Sequence, residues 1–188
     1  MCLQPPSSSS KRRCKVCESG FPVSAFLGLL REKGLVLVTA ESCTGGLIAK
    51  LVTDVAGSSE VFWGAFVTYS NQAKMKCLGV PEETLQRFGA VSAETVRAMA
   101  RGALEASGAS AAIAVSGVAG PGGGSPEKPV GSVWIGLRLA TGVHAERLCV
   151  FPPPREAVRE RAAQEALCLM ETFIVRGVLD TPGHTGYI

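Results

Sequence analysis

Three segments of the chain carry hydroxyl, amine or glycine groups and lie at or just after the end of a predicted strand. The first is residues 41–46, Glu-Ser-Cys-Thr-Gly-Gly, which lie between a short apolar run and a helical run. Hydroxyls at the start of a helix lie beside unpaired backbone N–H groups, which can bind an anion or stabilise an oxyanion. Glycine also lets the backbone approach a ligand closely. The pattern indicates a catalytic or anion-binding loop, although a plain Ser/Thr helix cap followed by a glycine turn explains it as well.

The second segment, residues 68–74, places a lysine where it can reach the first. A helix that begins near Asn71 puts Lys74 on its first turn, so the amine can turn back toward the strand end beside Tyr69. Lysine acts as a general base for a serine only when burial or a cationic neighbour lowers its pKa from about 10.4 toward about 7–8. The alternative is a solvated surface lysine.

The third segment is the glycine- and proline-rich loop at residues 116–129. It is neither a P-loop nor a dinucleotide fingerprint, because no Gly-Lys-Ser/Thr follows and its three consecutive glycines open no helix. Such a loop either cradles a phosphate with backbone N–H groups or serves as a flexible crossover. Arg155 and Arg159 follow at the start of the last predicted helix, where the helix dipole disfavours cations. Each is therefore either placed for a ligand phosphate or simply solvated.

The remaining reactive side chains narrow the chemistry. His144 and His184 are the two histidines, so a His-dependent triad or a His-rich metal site is not expected, and we expect neither a metal nor a cofactor. Cys43 is an alternative nucleophile because it also lies near a helix N-terminus. Cys14 and Cys17 form a lone CxxC without a second ligand pair, which favours a passive tail over a zinc or redox site.

Composition excludes several classes of partner. The 188 residues carry a net charge of +3, and the whole excess lies in residues 1–20, so we expect no nucleic-acid-binding surface. No apolar stretch is long enough for a membrane span, and residues 1–20 lack the apolar region of a secretory signal. Seven scattered cysteines agree with reduced thiols and a cytoplasmic location. We predict a flexible basic extension at 1–20, one domain at 21–175, and a frayed tail at 176–188.

Hydrophobic periodicity places these segments in an α/β fold. Buried strands alternate with helices and a hairpin comes near the end, which predicts a layered fold with a mixed sheet of about five strands. In such sheets active sites gather at the carboxyl ends of strands, where all three segments lie. The predicted elements are helix 22–34, strand 35–39, helix 47–55, strand 66–69, helix 71–77, helix 92–106, strand 111–116, strands 132–140 and 145–151, and helix 155–173.

Taken together, the motifs resemble those of one known family. Read in order they are TAESCTGG at 39–46, GSS at 57–59, FVTYSN at 66–71 with Lys74, GAVS at 89–92, SGVAGP at 116–121 and KPVG at 128–131. This series resembles the CinA C-terminal domain family, which includes the nicotinamide-nucleotide amidohydrolases of pyridine nucleotide salvage and NAD metabolism. The resemblance covers residues 22 to about 174.

The resemblance implies a three-layer α/β/α sandwich, often a homodimer, that hydrolyses nicotinamide mononucleotide to nicotinate mononucleotide and ammonia without a metal. The matching motifs imply Ser42 as nucleophile, with Tyr69 and Lys74 as its catalytic partners. Two departures stand out: Ser116 replaces the usual threonine, and Pro152–Pro154 replace the usual Gly-Asp before Arg155, which leaves Arg155 and Arg159 as rivals. The substrate-binding positions that the resemblance implies are Thr44, Gly45, Gly46, Ser59, Ser116, Gly117, Gly120 and Arg155.

The resulting hypothesis is a serine–lysine amidohydrolase. A neutral Lys74 takes the Ser42 proton directly or through Tyr69, and backbone N–H groups of residues 43–46 stabilise the oxyanion. Two other hypotheses stay open: a non-catalytic nucleotide-binding or regulatory module, and a Ser/Lys amidase for another phosphorylated amide. Larger relatives carry an N-terminal domain resembling molybdopterin-binding proteins. Only twenty residues precede the core here, so we expect a stand-alone amidohydrolase without that domain's pyrophosphatase activity.

Overall fold

A five-stranded mixed sheet forms the centre of the protein, as a computed structural model describes it over residues 20–176. The spatial order of the strands is β2-β1-β3-β4-β5; the first three are parallel, and β4 and β5 are antiparallel additions. The elements are α1 (Val23–Glu32), β1 (Leu37–Glu41), α2 (Leu47–Thr53), a 3₁₀ turn (Ser58–Glu60), β2 (Phe62–Val67), α3 (Asn71–Leu78), α4 (Glu82–Phe88), α5 (Ala93–Ser107), β3 (Ala111–Gly117), β4 (Ser132–Leu139), β5 (His144–Val150) and α6 (Arg155–Arg176).

Alternation along the central strands creates two separate apolar cores. On β3, Ile113 and Val115 face the core that includes α1, α2 and α6, whereas Ala112 and Ala114 face the core that includes α3, α4 and α5. Successive strand side chains point to opposite faces, so a strand buried on both sides reads as one continuous apolar run. The predicted three-layer α/β/α arrangement is confirmed.

The sequence analysis missed one helix and misplaced two strands. Strand β1 runs over Leu37–Glu41, two residues later than the predicted 35–39, so Glu41 belongs to the strand and not to the loop. Helix α4 was not predicted, although the two glutamates in its first turn are a recognised start signal. Strand β2 begins at Phe62, four residues before the predicted start, and its register is interrupted opposite Leu37 and Val38. This irregularity disturbs the period-two pattern on which the strand prediction depended.

The predicted extension at 1–20, with its Cys14–Cys17 pair, and the predicted tail at 176–188 lie outside the described residues, apart from Gly20 and Arg176. Within residues 20–176, no helix has the length and apolar character that crossing a bilayer requires.

The parallel strands bring the three segments of interest to one edge of the sheet. Glu41, the last residue of β1, pairs with Val67 on β2 and with Val115 on β3. The segments that follow these three strands therefore start side by side, as the sequence predicts.

Candidate active site

A serine and a lysine from different loops meet at this edge. Ser42 follows β1 directly, and Lys74 lies on the first turn of α3, whose start is fixed by Ser70 accepting a hydrogen bond from the Ala73 N–H. Lys74 Nζ lies 3.0 Å from Ser42 Oγ. Lys74 is 1% exposed and Ser42 is 8% exposed, so the pair is nearly closed to solvent while the serine retains a small accessible surface.

The surroundings of the Lys74 amine suit a neutral base. Its other neighbours are the backbone carbonyls of Thr68, at 2.8 Å, and Tyr69, at 3.4 Å. A neutral amine has two N–H donors and one lone pair; the two carbonyls can accept the donors while the lone pair faces Ser42 Oγ. Burial lowers the pKa of Lys74 below its usual value of 10.5, because removing water penalises the charged form. The arrangement thus places the amine within hydrogen-bonding distance of the serine hydroxyl, in surroundings whose burial favours its uncharged form.

Cys43 does not have the character of a nucleophile. Burial raises the pKa of its thiol to about 12, so the thiol is protonated near neutrality. An uncharged thiol also supplies no negative charge to Lys74, which is the one effect that would raise the lysine pKa again. The alternative of a Cys43 nucleophile therefore loses its physical basis.

Glu41 is an important residue of the site that the sequence analysis missed. Its fully buried carboxylate accepts hydrogen bonds from the N–H groups of Gly46, Ile48 and Ala49, at 2.9, 3.2 and 2.9 Å, and from the Thr39 hydroxyl at 3.3 Å. A charged group that ends a buried strand is the signal that could have revealed it, because buried carboxylates need partners. Glu41 thereby fixes the first turn of α2 relative to the end of β1.

The hydrogen bonds of the 42–46 loop limit where an oxyanion can bind. The Gly46 N–H donates to Glu41 Oε2, and the Gly45 N–H donates to the carbonyl of Ser42 at 3.1 Å. In the described part of the chain, the N–H groups of Cys43 and Thr44 donate to no oxygen. The expectation that residues 43–46 supply oxyanion donors therefore narrows to Cys43 and Thr44.

Two buried threonine hydroxyls beside the dyad lack partners. Among residues 20–176, Thr44 Oγ1 and Thr68 Oγ1 are the buried side-chain oxygens that make no hydrogen bond. Leaving such a group unsatisfied costs about 1–3 kcal/mol. A bound water or a substrate group would remove that cost, so the role of Thr44 in binding stays a prediction.

Tyr69 and Arg155 form a bridge across the mouth of the site. Tyr69 is 63% exposed, and its hydroxyl lies 3.1 Å from Arg155 Nη2. Arg155 also donates from Nη1 to the carbonyl of Gly120 at 2.7 Å. The bridge links the β2–α3 segment with the glycine-rich loop and the start of α6. Lys74 contacts Ser42 directly, whereas the Tyr69 hydroxyl is bonded to Arg155.

Arg159 lies one turn along the same helix and faces the catalytic loop. It donates from Nε to the carbonyl of Cys43, at 3.1 Å, and from Nη2 to the carbonyl of Thr44, at 2.7 Å. Gly45 has a φ of +61°, and a Cβ there would lie 3.2 Å from Arg159 Nη2. The glycine thus permits both the left-handed turn and the close approach of the guanidinium.

The residues of the third segment are placed near the site but are engaged with the protein itself. Ser116 Oγ is buried and donates to the carbonyl of Ala90 at 2.7 Å. Gly117 lies against β4, where a Cβ would meet the carbonyl oxygen of Ser132 at 2.7 Å. Both positions therefore have packing reasons for their residue types, in addition to any contact with a ligand.

Ser59 is not brought to the site. It lies in the 3₁₀ turn before β2, whereas Ser42 and Lys74 lie beyond the carboxyl ends of the strands. The six residues of β2 span about 20 Å, so within one chain Ser59 is at the opposite end of the sheet.

In the part of the chain that the structure describes, no group of three or more His, Cys, Asp or Glu side chains is placed to hold a metal ion.

The CinA C-terminal domain family matches residues 23–174 of the chain. The nicotinamide-nucleotide amidohydrolase PncC of Escherichia coli (strain K12) is 52% identical over 138 residues, which cover 73% of this chain and 84% of that protein. The PncC protein of Enterobacter agglomerans is 55% identical over 134 residues, covering 71% and 82%. A putative competence-damage inducible protein of Symbiobacterium thermophilum is 53% identical over 161 residues.

The solved structures extend the similarity to three dimensions. The competence/damage inducible protein CihA from Agrobacterium tumefaciens superposes with a TM-score of 0.77 at 44% identity, covering 82% of this chain and 96% of that one. In length, however, the chain spans 37% of the Symbiobacterium thermophilum protein and 36% of a CinA-like protein of Akkermansia muciniphila.

Proposed function

The chain belongs to the CinA C-terminal domain family, and from that premise we propose that it hydrolyses the carboxamide of nicotinamide mononucleotide to nicotinate mononucleotide and ammonia. The observation that carries the proposal is the 3.0 Å contact between Ser42 Oγ and the buried Lys74 amine. Its similarity to proteins named nicotinamide-nucleotide amidohydrolase supports the choice of substrate. A module that only binds a nucleotide has no use for a serine held against a neutral base.

The first half of the reaction forms an acyl-enzyme. Lys74 takes the proton of the Ser42 hydroxyl while Oγ attacks the carboxamide carbon, which gives a tetrahedral oxyanion. The N–H groups of Cys43 and Thr44 stabilise that oxyanion. As the C–N bond breaks, the Lys74 ammonium returns its proton to the leaving nitrogen, which departs as ammonia. Lys74 is then neutral again.

The second half repeats the chemistry with water. Lys74 takes a proton from the water that attacks the acyl carbon, and the new tetrahedral intermediate is stabilised by the same N–H groups. Collapse breaks the ester bond, and the Lys74 proton returns to Ser42 Oγ. The products are nicotinate mononucleotide and the starting enzyme, so one water is consumed for each ammonia released.

The substrate phosphate is the part of the ligand that Arg155 suits. Its guanidinium is exposed at the mouth of the site and uses two of its five N–H donors on Gly120 and Tyr69. Further donors are available to a phosphate, with which arginine forms strong charge-assisted bonds. The glycine-rich loop adjoins this position and would lie along the ribose and phosphate.

The test is ammonia release from nicotinamide mononucleotide by the purified chain, compared with Ser42→Ala and Lys74→Met. Each substitution is expected to lower kcat by about a thousandfold or more. Lys76→Met is the matched control, because Lys76 is exposed on the same helix. Near-normal turnover in folded Ser42→Ala and Lys74→Met would rule out the dyad.

Other outcomes point to the remaining hypotheses. Substrate binding by calorimetry without ammonia release would favour a binding or regulatory module. Release from a different phosphorylated amide, with nicotinamide mononucleotide untouched, would retain the dyad and change the substrate. The homodimer and the cytoplasmic location belong to the same proposal, and light scattering of the purified chain tests the first.

A further inference from the structure

The side chain of Arg159 binds the protein's own catalytic loop. Its Nε and Nη2 atoms donate to the carbonyls of Cys43 and Thr44, which are 116 and 115 residues away in sequence. We propose that Arg159 is a positioning residue that holds this turn so that the N–H groups of Cys43 and Thr44 face the reacting carbonyl. The proposal rests on the oxyanion chemistry of the proposed function and extends it to a residue outside the loop.

Because the peptide unit is planar, the two contacts with Arg159 fix the direction of the N–H groups in the same peptide units. In a trans peptide the N–H points opposite to the C=O of the same unit. The Cys43 carbonyl points toward Arg159, so the Thr44 N–H of the same peptide unit points away from Arg159. The Thr44 carbonyl also points toward Arg159, so the Gly45 N–H points away from it as well. That second N–H reaches the carbonyl of Ser42 at 3.1 Å. The Thr44 N–H therefore points away from Arg159 as well, to the side of the turn on which the Ser42 carbonyl lies.

Glu41 binds the backbone N–H groups that follow this turn, at the start of α2. Its carboxylate takes the N–H groups of Gly46, Ile48 and Ala49, while Arg159 takes two carbonyls. Glu41 thus accepts from backbone N–H groups at the start of α2, and Arg159 donates to backbone carbonyls of the preceding turn. Without Arg159, the Cys43–Thr44 peptide would have a free carbonyl that could rotate and withdraw its N–H from the site.

The same contacts separate the roles of the two arginines. On Arg159, Nε and Nη2 lie on one edge of the guanidinium, and that edge would otherwise form the paired bonds of phosphate recognition. Arg155 is exposed and is bonded through Nη1 and Nη2 to single acceptors. Arg159 therefore acts on the rate of the chemical step, and Arg155 on substrate affinity.

Steady-state kinetics with nicotinamide mononucleotide separates these roles. Arg159→Ala is expected to lower kcat by about 10- to 100-fold, since loss of an oxyanion donor costs about 10²–10³ and misplacement costs less. KM should stay within about twofold. Arg159→Lys, which can reach one carbonyl at most, should fall between wild type and Arg159→Ala.

Arg155→Ala should instead raise KM, and Arg161→Ala serves as the matched control, because Arg161 is exposed on the same helix. A raised KM with unchanged kcat in Arg159→Ala would overturn the proposal and make Arg159 a phosphate ligand.

A second readout is independent of the natural substrate. With a fluorophosphonate, Ser42 Oγ attacks phosphorus, the P–F bond breaks, fluoride leaves, Lys74 takes the proton, and the phosphoryl oxygen occupies the oxyanion site. Labelling should be at least about tenfold slower in Arg159→Ala than in Arg161→Ala, with Arg159→Lys between the two and melting temperatures recorded for all three. Equal labelling rates would refute the role of Arg159.

The two readouts separate the two proposals. A wild-type chain that is labelled but does not hydrolyse nicotinamide mononucleotide would remove the proposed substrate, while the comparison of variants still decides the role of Arg159. A wild-type chain that is not labelled would refute an activated Ser42, and the positioning role would be lost with it.

Discussion

Replacing Glu41 by glutamine tests whether a buried carboxylate organises the catalytic loop. Glutamine has nearly the same shape, so the substitution changes charge and hydrogen bonding with little change in packing. In the native protein Oε2 accepts from the N–H groups of Gly46 and Ile48, and Oε1 accepts from the Ala49 N–H and the Thr39 hydroxyl. A glutamine amide has a single oxygen, so it cannot accept on both sides.

The expected cost follows from counting these contacts. In the better orientation the amide oxygen keeps Gly46 and Ile48, and the NH₂ group faces the Ala49 N–H, which leaves a buried donor unsatisfied at about 1–3 kcal/mol. The two retained bonds lose the assistance of a charged acceptor, which adds a further cost of about 1–2 kcal/mol. The sum is about 2–5 kcal/mol of the free energy of unfolding. For a domain of this size, 1 kcal/mol corresponds to about 2–4 °C, so the melting temperature should fall by about 4–20 °C.

Calorimetry of Glu41→Gln measures this loss, and ammonia release measures its effect on the site. The kcat should also fall, because the first turn of α2 anchors the loop that carries Ser42 and the proposed oxyanion donors. Glu60→Gln is the control: Glu60 is a surface carboxylate paired with Arg31, and such pairs contribute about 0–1 kcal/mol. A melting temperature for Glu41→Gln within about 2 °C of wild type would refute the reasoning.

Three further predictions concern other groups at the site. Burial lowers the pKa of Lys74, so kcat/KM should rise with pH through a midpoint below 10.5. Between that lowered pKa and 10.5 the folded protein binds fewer protons than the unfolded chain, so the free energy of unfolding of wild type should rise with pH relative to that of Lys74→Met. A kinetic midpoint at or above 10.5, or parallel stability curves for the two proteins, would contradict this. Iodoacetamide at pH 8 should modify the exposed Cys77 and leave the buried Cys43 unmodified, as detected by mass spectrometry. The pKa of about 12 for Cys43, instead of the usual 9.0, lowers its thiolate fraction about a thousandfold. Equal labelling of the two cysteines would be inconsistent with the burial of Cys43. Gly120→Ala should destabilise the protein by about 1–3 kcal/mol, because a Cβ there would lie 2.6 Å from Val130 Cγ1, and it should raise KM, because the Gly120 carbonyl accepts a hydrogen bond from Arg155. Gly142 also has a positive φ but lies in open space, so Gly142→Ala measures the backbone strain alone. An equal loss of stability in both variants would exclude the clash.

The sequence was informative wherever a local rule decides the structure. The helix predicted at 92–106 was recognisable from Ser92 at its start, because a serine hydroxyl there can accept an N–H that the helix leaves unpaired, as it does from Thr95. The continuous apolar run at β3 identified a strand covered on both faces. The loop that carries Ser42 was identifiable because it combines a hydroxyl, glycines and a following helix.

Local rules failed where a pattern was short or interrupted. Helix α4 has seven residues and a single buried apolar residue, Leu85, so its periodicity is too weak to identify it. The early part of β2 was missed because its irregular register breaks the alternation. Glu41 was overlooked because a glutamate at a strand end is ordinarily solvated. Its three N–H partners lie at the N-cap and in the first turn of α2, and the sequence does not specify how that turn is placed relative to the end of β1.

By itself, the sequence determined which chemistry is possible. It placed a serine, a lysine and glycine-rich loops after strands, and a parallel arrangement necessarily brings such loops to one edge. The tertiary structure alone decided how they meet. Ser42 and Lys74 are 32 residues apart, and their 3.0 Å contact depends on β1 and β2 being neighbours in register. Arg159 reaches Cys43 across 116 residues because α6 packs beside α2 on one face of the sheet. Strand order, burial and the pKa of Lys74 are properties of the packed molecule, because each depends on atoms that the chain brings together only when it folds.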